Sequence, residues 1–270
     1  MQLFKTETRI DFIGKRLIAL VVSILLLLAG IYSLSTKGLN FGIDFSGGTK
    51  VELIYQDTVR VSDIRTVLQQ GGFTEAVVQY FGSDEDVLIR VPLSKDTNDD
   101  KVSTRIVELL AASSVGAGEV KSVEFVGPTF GKELFEKGIL ALVYALIGVM
   151  IYVAFRFEWK FSLGSVIALI HDVVITLGIF SLIQMEFTMP VLAALLAVIG
   201  YSLNDTIVVF DRIRENFRRL RDVNTEQIMN TSINQTLPRT ILTSLTTLLV
   251  LIALYAYGGE ALQGFALTLI

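Results

Sequence analysis

The sequence predicts an α-helical membrane bundle with an α+β domain inserted after its first helix. The chain has 270 residues, of which 52% are hydrophobic, and its mean hydropathy is +0.60. Soluble domains are less apolar on average. The apolar residues also stand in long runs, and a bilayer core about 30 Å thick needs roughly 20 such residues for each spanning helix. One polar stretch, residues 38–137, separates the first run from the others.

The first apolar run, residues 17–34, predicts a membrane anchor. A cleaved signal peptide is the alternative, but such a peptide has a shorter apolar part and a small-residue cleavage site after it. Here the run is of spanning length, and Ser35-Thr36-Lys37 follows it. We therefore assign residues 1–37 to a cytoplasmic N-terminus and the first transmembrane helix. The basic residues that precede the run are Lys5, Arg9, Lys15 and Arg16.

The polar stretch, residues 38–137, predicts an α+β domain. Strand-like and helix-like segments alternate in the order β-α-β-β-α-β, which is typical of a ferredoxin-like domain. A turn over Gly82–Asp86 is predicted to join the two middle strands. In chain order, the predicted segments are 49–56, 62–70, 76–81, 87–93, 98–114 and 119–126.

The second half of the chain, residues 138–270, predicts transmembrane helices 2–6. The last run has nine residues, which rise only about 14 Å, less than half of the hydrocarbon core. We expect a sixth transmembrane helix that is cut short, and a short re-entrant or interfacial tail is the alternative. The five runs are 138–155, 161–182, 190–210, 241–257 and 262–270.

The distribution of basic residues predicts the orientation. Lys and Arg lie before the first run, between the second and third runs, and between the fourth and fifth, whereas the short loops 184–189 and 258–261 contain none. The positive-inside rule then places the N-terminus in the cytoplasm and the domain 38–137 outside it. The segment 211–238 combines dense arginine with spaced apolar residues, which predicts an amphipathic helix at the cytoplasmic interface. A basic solvated linker is the alternative.

Ionisable residues inside the apolar runs point to function. Asp172 lies eleven residues inside its run, about 16 Å from the cytoplasmic end and close to mid-membrane. Its charged form is poorly solvated there, so we expect a carboxyl group that loads and releases protons. An aspartate satisfied by interhelical hydrogen bonds is the alternative. The neighbouring His171, which is the only histidine of the chain, either tunes this carboxyl group or is a packed interior histidine.

Further polar residues lie on the fourth and fifth runs of the whole chain, 190–210 and 241–257. Asn204 and Asp205 interrupt the fourth run, and Asp205 shares a helix face with Arg212. Because Asp205 lies about two turns nearer the cytoplasm than Asp172, the helix geometry is compatible with a route between the two carboxyl groups. Arg212 is alternatively a snorkelling interfacial anchor. The fifth run carries a stripe of hydroxyl side chains, which we interpret as helix packing rather than a wet path: Thr240, Thr243, Ser244 and Thr247.

The composition argues against several other classes of protein. The net charge of −4 gives no reason to expect nucleic acid as a partner. The sequence contains no cysteine and one histidine, which excludes disulfides, thiolate metal sites and multi-histidine clusters. We find no nucleophile–base pair and no phosphate-binding loop, so we expect no enzymatic activity and no cofactor.

Two sequence motifs resemble signature segments of the SecF family. Residues 41–49 read FGIDFSGGT, just after the first helix, and residues 200–216 read GYSLNDTIVVFDRIREN. Together with His171-Asp172, these segments are similar to those of SecF subunits. The layout of one helix, an external domain and five further helices is also similar to that family.

The resemblance implies a member of the resistance–nodulation–division superfamily in the bacterial inner membrane, with residues 38–137 in the periplasm. It implies SecD as a pseudo-symmetric partner, and the SecYEG channel, a translocating preprotein and the YidC insertase as further partners. It also implies preprotein export that is driven by the proton-motive force. The site residues that it implies are Asp172, Asn204, Asp205 and Arg212 of the membrane helices and Asp44, Gly47 and Gly48 of the first motif.

These observations lead to one mechanistic hypothesis with two alternatives. A proton enters from outside, protonates Asp172 and leaves inward past Asp205, and the change in charge shifts the packing of the helices. A passive assembly subunit of a membrane complex is one alternative, and it would have fully paired aspartates. A small-molecule or lipid exporter of the same superfamily is the other, and it would need a larger external domain. Of the first motif, we expect Gly47-Gly48 to permit a sharp turn into a strand and Asp44 to be structural.

Overall fold

The structure, a computed structural model, describes residues 8–92, 101–157, 159–220 and 223–270. Lys5, which precedes the first apolar run, lies outside the described residues, as does Arg221 of the segment 211–238. The start of the helix predicted over 98–114 also lies outside them. Helices dominate, and strands form a small part of the fold. The elements in chain order are α1 (Arg16–Thr36), β1 (Asn40–Phe41), α2 (Ile43–Ser46), β2 (Gly48–Ile54), α3 (Val61–Gln70), β3 (Val77–Phe81), β4 (Ser83–Val91), α4 (Val102–Ala111), β5 (Glu119–Val126), α5 (Pro128–Arg156), α6 (Trp159–Ile183), β6 (Glu186–Phe187), α7 (Met189–Arg219), α8 (Thr225–Tyr257) and α9 (Glu260–Leu269).

The chain divides into two compact units. We call Met1–Asn40, Ala141–Met185 and Pro190–Ile270 the membrane unit, and Phe41–Leu140 with Glu186–Met189 the sheet unit. The sequence did not indicate that the short stretch around β6 belongs with the domain after the first helix. It was predicted as a loop, and a two-residue strand is too short to give a periodic signal.

Within the described residues, five helices are long and apolar enough to cross a membrane: α1, α5, α6, α7 and α8. They coincide with the five long apolar runs, so these predicted spans are confirmed in length and composition. Each helix extends beyond its run. The remaining apolar run forms α9, which has 10 residues.

The separate amphipathic helix predicted over 211–238 is wrong. Helix α7 continues without a break to Arg219, and α8 begins at Thr225 and runs through Pro238. No glycine or proline between 201 and 219 stops α7, and Asn224 caps α8 by accepting a hydrogen bond from the Glu226 N–H. The polar residues therefore prolong two membrane helices.

Helices α1 and α6 lie parallel and in register. The Ser33 and Ser181 hydroxyls are hydrogen-bonded at 2.9 Å, and they are 148 residues apart in the chain. Gly30 and Gly178 have the same separation, and a Cβ atom at Gly178 would lie only 2.5 Å from the Gly30 Cα atom. The small residues let the two backbones approach closely, as is common between membrane helices.

Two asparagines of α8 hold the segment that precedes α1. The Asn234 side chain accepts from the Ile10 N–H at 2.9 Å and donates to the Ile10 carbonyl at 2.8 Å. The Asn230 oxygen accepts from the N–H groups of Phe12 and Ile13 at 2.9 and 3.0 Å. Several backbone groups of this segment are thus satisfied without a strand partner.

The sheet unit contains a four-stranded antiparallel sheet in the order β3-β4-β2-β5. Helices α3 and α4 supply apolar residues at helical spacing to a core that the strands β2, β3 and β4 also line. The element order β-α-β-β-α-β is the predicted one. The core residues are Val51, Leu53, Tyr55, Ile64, Leu68, Phe73, Val78, Val87, Ile89, Val91, Val102, Ile106 and Leu110.

The turn predicted over Gly82–Asp86 is shorter in the structure. Gly82 has a φ of +83°, so this glycine can reverse the chain by itself. Strand β4 therefore begins at Ser83, which pairs with Phe81, and Asp86 pairs with Ile54. The polar residues that suggested a loop form the exposed end of a strand.

Candidate functional site

Four polar side chains on three helices form a hydrogen-bonded chain in the membrane unit. Asp172 on α6 accepts a hydrogen bond from Ser202 Oγ on α7, with 2.7 Å between Oγ and Oδ2. Its other oxygen, Oδ1, lies 3.0 Å from His171 Nδ1. His171 Nε2 lies 2.6 Å from Ser23 Oγ on α1. The chain thus connects α1, α6 and α7 through one carboxyl group.

Helix packing explains how these residues meet. Ser23 and His171 are 148 residues apart, which is the separation that aligns the two serines and the two glycines farther along α1 and α6. Asp172 and His171 lie at the midpoint of α6. Their side chains are 35% and 30% exposed, so both are partly withdrawn from the surface of the membrane unit.

The direction of the hydrogen bonds in this chain depends on the tautomer of His171. A neutral imidazole has one nitrogen that donates and one that accepts. If His171 Nδ1 donates to the Asp172 carboxylate, its Nε2 accepts from the Ser23 hydroxyl, and the tautomer is fixed by these two contacts. Ser202 donates to the other carboxylate oxygen. Protonation of Asp172 therefore changes the hydrogen bonds to two neighbouring helices at once.

A cavity of about 530 Å³ adjoins this chain. Its polar lining comes from His171, Asp172, Thr176, Tyr201, Ser202 and Thr268, and apolar residues of α6, α7 and the end of the chain complete the wall. A water molecule takes up about 30 Å³ of liquid, and a buried water needs two to four polar partners. The cavity meets both requirements, so it offers water a place beside the carboxyl group.

Asp205 lies outside the hydrogen-bonded chain. It is three residues after Ser202 on α7, about 4.5 Å farther along the helix axis, and it is half-buried. Within the described residues no hydrogen bond or ion pair joins Asp205 to another side chain. Arg239 on α8 is the basic residue that acts on it electrostatically. In the sequence, the position of Arg239 at the edge of an apolar run is the signal that could have identified it.

Arg212 and Asn204 do not join the cluster around Asp172. Arg212 Nη1 donates to Glu215 Oε2 at 2.7 Å, and its position on α7 is about 10 Å along the axis from that of Asp205. Asn204 is exposed. The structure thus brings His171 and Asp172 together and adds two serines that the sequence did not identify, whereas Asp205, Asn204 and Arg212 stand apart from them.

The hydroxyl stripe of α8 makes contacts that agree with a packing role. The Tyr201 hydroxyl of α7 donates to the Thr243 carbonyl at 3.2 Å and lies 3.1 Å from Thr247 Oγ1. The Thr243 hydroxyl itself donates to the Arg239 and Thr240 carbonyls of its own helix. These contacts join α7 to α8 and leave the hydroxyl hydrogens engaged.

The first motif lies in the sheet unit, where it forms the turn from α2 into β2. Gly47 and Gly48 have φ angles of +72° and +136°, which side chains rarely adopt. A Cβ atom at Gly48 would also lie 2.5 Å from the Val91 carbonyl oxygen. Asp44 Oδ2 accepts a hydrogen bond from the backbone N–H of Met189 at 2.8 Å. Its partner is thus a backbone group in the short stretch around β6.

Comparison with known proteins identifies the family. The family model described as "Protein export membrane protein SecD/SecF, C-terminal" matches residues 106–270, and the "SecD/SecF GG Motif" matches residues 32–59. The protein translocase subunit SecF of Vibrio alginolyticus is 46% identical over 269 residues, which cover 100% of this chain and 85% of the relative. SecF of Pseudomonas aeruginosa is also 46% identical, with 96% of this chain and 84% of the relative covered.

Solved structures agree with this assignment. The crystal structure of SecDF from Thermus thermophilus, a translocon-associated membrane protein, matches 99% of this chain with a TM-score of 0.87 and 40% identity. A SecDF structure in a super-membrane-facing form matches 99% of the chain with a TM-score of 0.71 and 38% identity. The chain spans 36% of the length of each of these two structures. The sequence and structural matches together show that the chain belongs to the SecF family of protein translocase subunits.

Proposed function

We propose that this protein works with a SecD partner to drive preproteins across the bacterial inner membrane at the expense of the proton-motive force. The observation that carries the proposal is the hydrogen-bonded chain centred on Asp172, which lies at mid-helix beside a cavity large enough to hold water. An ionisable group inside a membrane helix costs free energy, so its presence there points to a function. The relatives are named as protein translocase subunits, which supports protein export as that function.

The proposed cycle begins with a proton that reaches Asp172 through the adjoining cavity. Protonation removes the negative charge and weakens the hydrogen bond from Ser202, because a carboxylate accepts more strongly than a neutral carboxyl group. The packing of α6 against α7 then shifts between two states. The proton leaves towards the cytoplasm past Asp205, a half-buried carboxyl group about one turn farther along α7 than Ser202.

The sheet unit is the proposed output of the cycle. The chain passes between the two units after Asn40, after Leu140, after Met185 and after Met189, so a rearrangement of the helices is transmitted along continuous backbone. One charge that crosses 100 mV supplies about 2.3 kcal/mol, which is enough to bias a step. A sheet unit in the periplasm would hold a preprotein that emerges from SecYEG, with YidC as a further neighbour. The cycle needs no enzymatic activity and no cofactor.

The finer description of the fold is part of the same proposal. The sheet order β3-β4-β2-β5 and the element order β-α-β-β-α-β support a ferredoxin-like topology for the sheet unit. A sixth spanning helix that includes α9, a cytoplasmic N-terminus and a periplasmic sheet unit stay predictions from hydropathy and from the positive-inside rule.

The substitution Asp172→Asn tests the proposal. Asparagine keeps the size and an acceptor for Ser202, but it cannot exchange a proton, so gradient-driven export should fall by about tenfold or more. Export is measured in vesicles that contain the full protein with its SecD partner and the channel, with and without a protonophore. The matched control is Asp57→Asn, an exposed carboxylate of the sheet unit, which should leave export unchanged. Gradient-driven export that survives Asp172→Asn would rule out the proton-carrier role.

A passive assembly subunit is the second candidate, because Asp172 already has partners in His171 and Ser202. This candidate predicts the opposite result for the same variant. If Asp172 only holds α6 and α7 together, asparagine is an adequate replacement, and Ser202→Ala should harm export at least as much as Asp172→Asn. Under the proton-driven proposal Ser202→Ala has the smaller effect, since a single interhelical hydrogen bond contributes about 0.6 kcal/mol.

A further inference from the structure

Six arginines surround a cavity of about 760 Å³ in the membrane unit. The cavity lies where α5 and α7 end and where α8 passes beside them. Two carboxylates, Asp211 and Glu215, also line it. The six arginines are Arg156, Arg212, Arg214, Arg218, Arg219 and Arg239.

The two carboxylates occupy only half of the arginines. Arg156 Nη2 donates to both oxygens of Asp211 at 3.1 Å. Glu215 accepts from Arg212 at 2.7 Å and from Arg219 at 3.1 Å.

The other three arginines lack a carboxylate within ion-pair distance among the described residues. Arg214 donates to the Arg156 carbonyl at 3.5 Å, which is a neutral acceptor. Arg218 and Arg239 line the cavity without a salt bridge in the described part of the chain. The cavity therefore carries an excess of positive charge, and three of its guanidinium groups are available to bind an anion.

The three helices that line the cavity also expose large apolar side chains. Phe155, next to Arg156, is 89% exposed, and Phe217 and Leu242 are also exposed large apolar residues. Helix α7 is apolar before this arginine-rich end, and α8 is apolar after it. A ligand with a charged head and apolar tails would match both parts, whereas a free inorganic anion would use only the arginines.

We propose that this arginine cavity binds the phosphodiester headgroup of an anionic phospholipid. Guanidinium groups bind phosphate oxygens through paired hydrogen bonds, and basic pockets between membrane helices are suited to anionic headgroups. The cavity is large enough for a headgroup, and the exposed apolar residues of the same three helices would contact the acyl chains. The site is separate from the hydrogen-bonded chain around Asp172, so the inference stands whether or not the proton-driven mechanism is right.

Native mass spectrometry of the full chain in neutral detergent tests the proposal. Dioleoyl phosphatidylglycerol should be retained on the protein in preference to dioleoyl phosphatidylcholine, and inorganic phosphate at the same concentration should not displace it. Arg218→Gln should weaken phosphatidylglycerol binding about fivefold, and Arg214→Gln with Arg218→Gln about 25-fold, since each basic residue near an anionic surface contributes about a factor of five.

Two further variants separate a specific site from general attraction and from damage to the fold. Arg9→Gln removes the same charge from an exposed position that does not line the cavity, and it should leave binding unchanged. Glu215→Gln releases Arg212 and Arg219 and should strengthen phosphatidylglycerol binding about fivefold, which a misfolded protein would not do.

Several results would overturn the inference. Equal retention of phosphatidylcholine would mean that charge is irrelevant, and displacement by inorganic phosphate would mean that the arginines bind a free anion. An equal loss with Arg9→Gln, or no gain with Glu215→Gln, would show that the cavity is not the site.

Discussion

The sheet unit and the membrane unit bury different kinds of side chain. The sheet unit buries a core of thirteen apolar residues between its strands and the helices α3 and α4. The membrane unit exposes most of its large apolar side chains. In α1, only 6% of the most apolar stretch of the helix is buried inside the protein. Among the described residues, the buried polar side chains are Thr49 and Glu52 in the sheet unit and nine in the membrane unit: Ser33, Ser162, Ser165, Ser181, Asn216, Ser232, Asn234, Thr236 and Thr268.

The difference follows from the solvent of each unit. In water, apolar burial is the main force that holds a domain together, so the sheet unit gathers its valines, leucines and isoleucines inside. Lipid tails are as apolar as leucine, so helices in a membrane gain little by burying it and associate through close packing and hydrogen bonds. The glycine pair and the serine pair between α1 and α6 are the clearest instance in this protein.

The largest expected effect comes from truncating leucine in each unit. Leu68 is fully buried in the sheet unit, whereas Leu25 of α1 is 61% exposed. Leu68→Ala should lower the free energy of unfolding of the sheet unit by about 3 kcal/mol, because it leaves a cavity in the core. Leu25→Ala should change stability by about 0.5 kcal/mol or less. Amide hydrogen exchange of β2 and α1 in the full chain measures both. Similar losses in the two variants would contradict the contrast.

A smaller effect is expected from enlarging glycine within α6. Gly178→Leu should destabilise the contact with α1 by about 2 kcal/mol, because the new side chain meets the Gly30 backbone. Gly164→Leu is the matched control, since a Cβ atom there meets no described atom within 4 Å. The chain has no cysteine, so the yield of an engineered Ser33→Cys and Ser181→Cys crosslink reports the packing directly. The yield should fall with Gly178→Leu and persist with Gly164→Leu; equal yields would show that close approach is not what joins the helices.

The smallest expected effect concerns a buried hydroxyl of the sheet unit. The Tyr55 hydroxyl has no hydrogen-bond partner among the described residues, and burial raises the pKa of Tyr55 from its ordinary value of 10.0 to about 12. The folded state therefore resists ionisation, and the stability that neutral Tyr55 contributes is complete below pH 10 and lost as the pH rises towards 12. Tyr55→Phe should raise the free energy of unfolding by about 1 kcal/mol at pH 8. Between pH 8 and alkaline pH, its free energy of unfolding should fall less than that of the wild-type protein.

Urea unfolding of the full chain at pH 8 and pH 11 measures this effect. Tyr80→Phe is the control, because the Tyr80 hydroxyl is exposed and donates to the Val59 carbonyl at 2.9 Å. It should gain nothing at pH 8. A loss of stability in Tyr55→Phe at pH 8 would reveal a partner for the hydroxyl.

The contrast between the units also explains what the sequence could predict. Long apolar runs specify membrane helices because lipid demands them, and the spacing of Ile64 with Leu68 in α3 specifies a helix with one buried face. Boundaries failed where polar residues continue a regular element. Ser83–Asp86 extend β4, and residues 211–219 extend α7, because hydrogen bonding of the backbone does not stop where burial stops.

The candidate site was predictable only in part. Asp172 and His171 stand out because ionisable residues are rare inside apolar runs. Ser23 and Ser202 give no such signal, since a serine in a membrane helix is as often a packing residue. Their role depends on which helices lie side by side, and the separation of 148 residues between α1 and α6 is a tertiary fact. The electrostatic influence of Arg239 on Asp205 is hidden for the same reason.

The register between α1 and α6 restricts how the bundle can rearrange. Three contacts at different heights, those of Ser23, Gly30 and Ser33, depend on one and the same alignment. A slide of either helix by a single turn would lose all three together, with no neighbouring alignment that restores them. The two helices should therefore travel as one piece, and any stroke that starts at Asp172 must be accommodated by sliding or tilting elsewhere, where α6 faces α7.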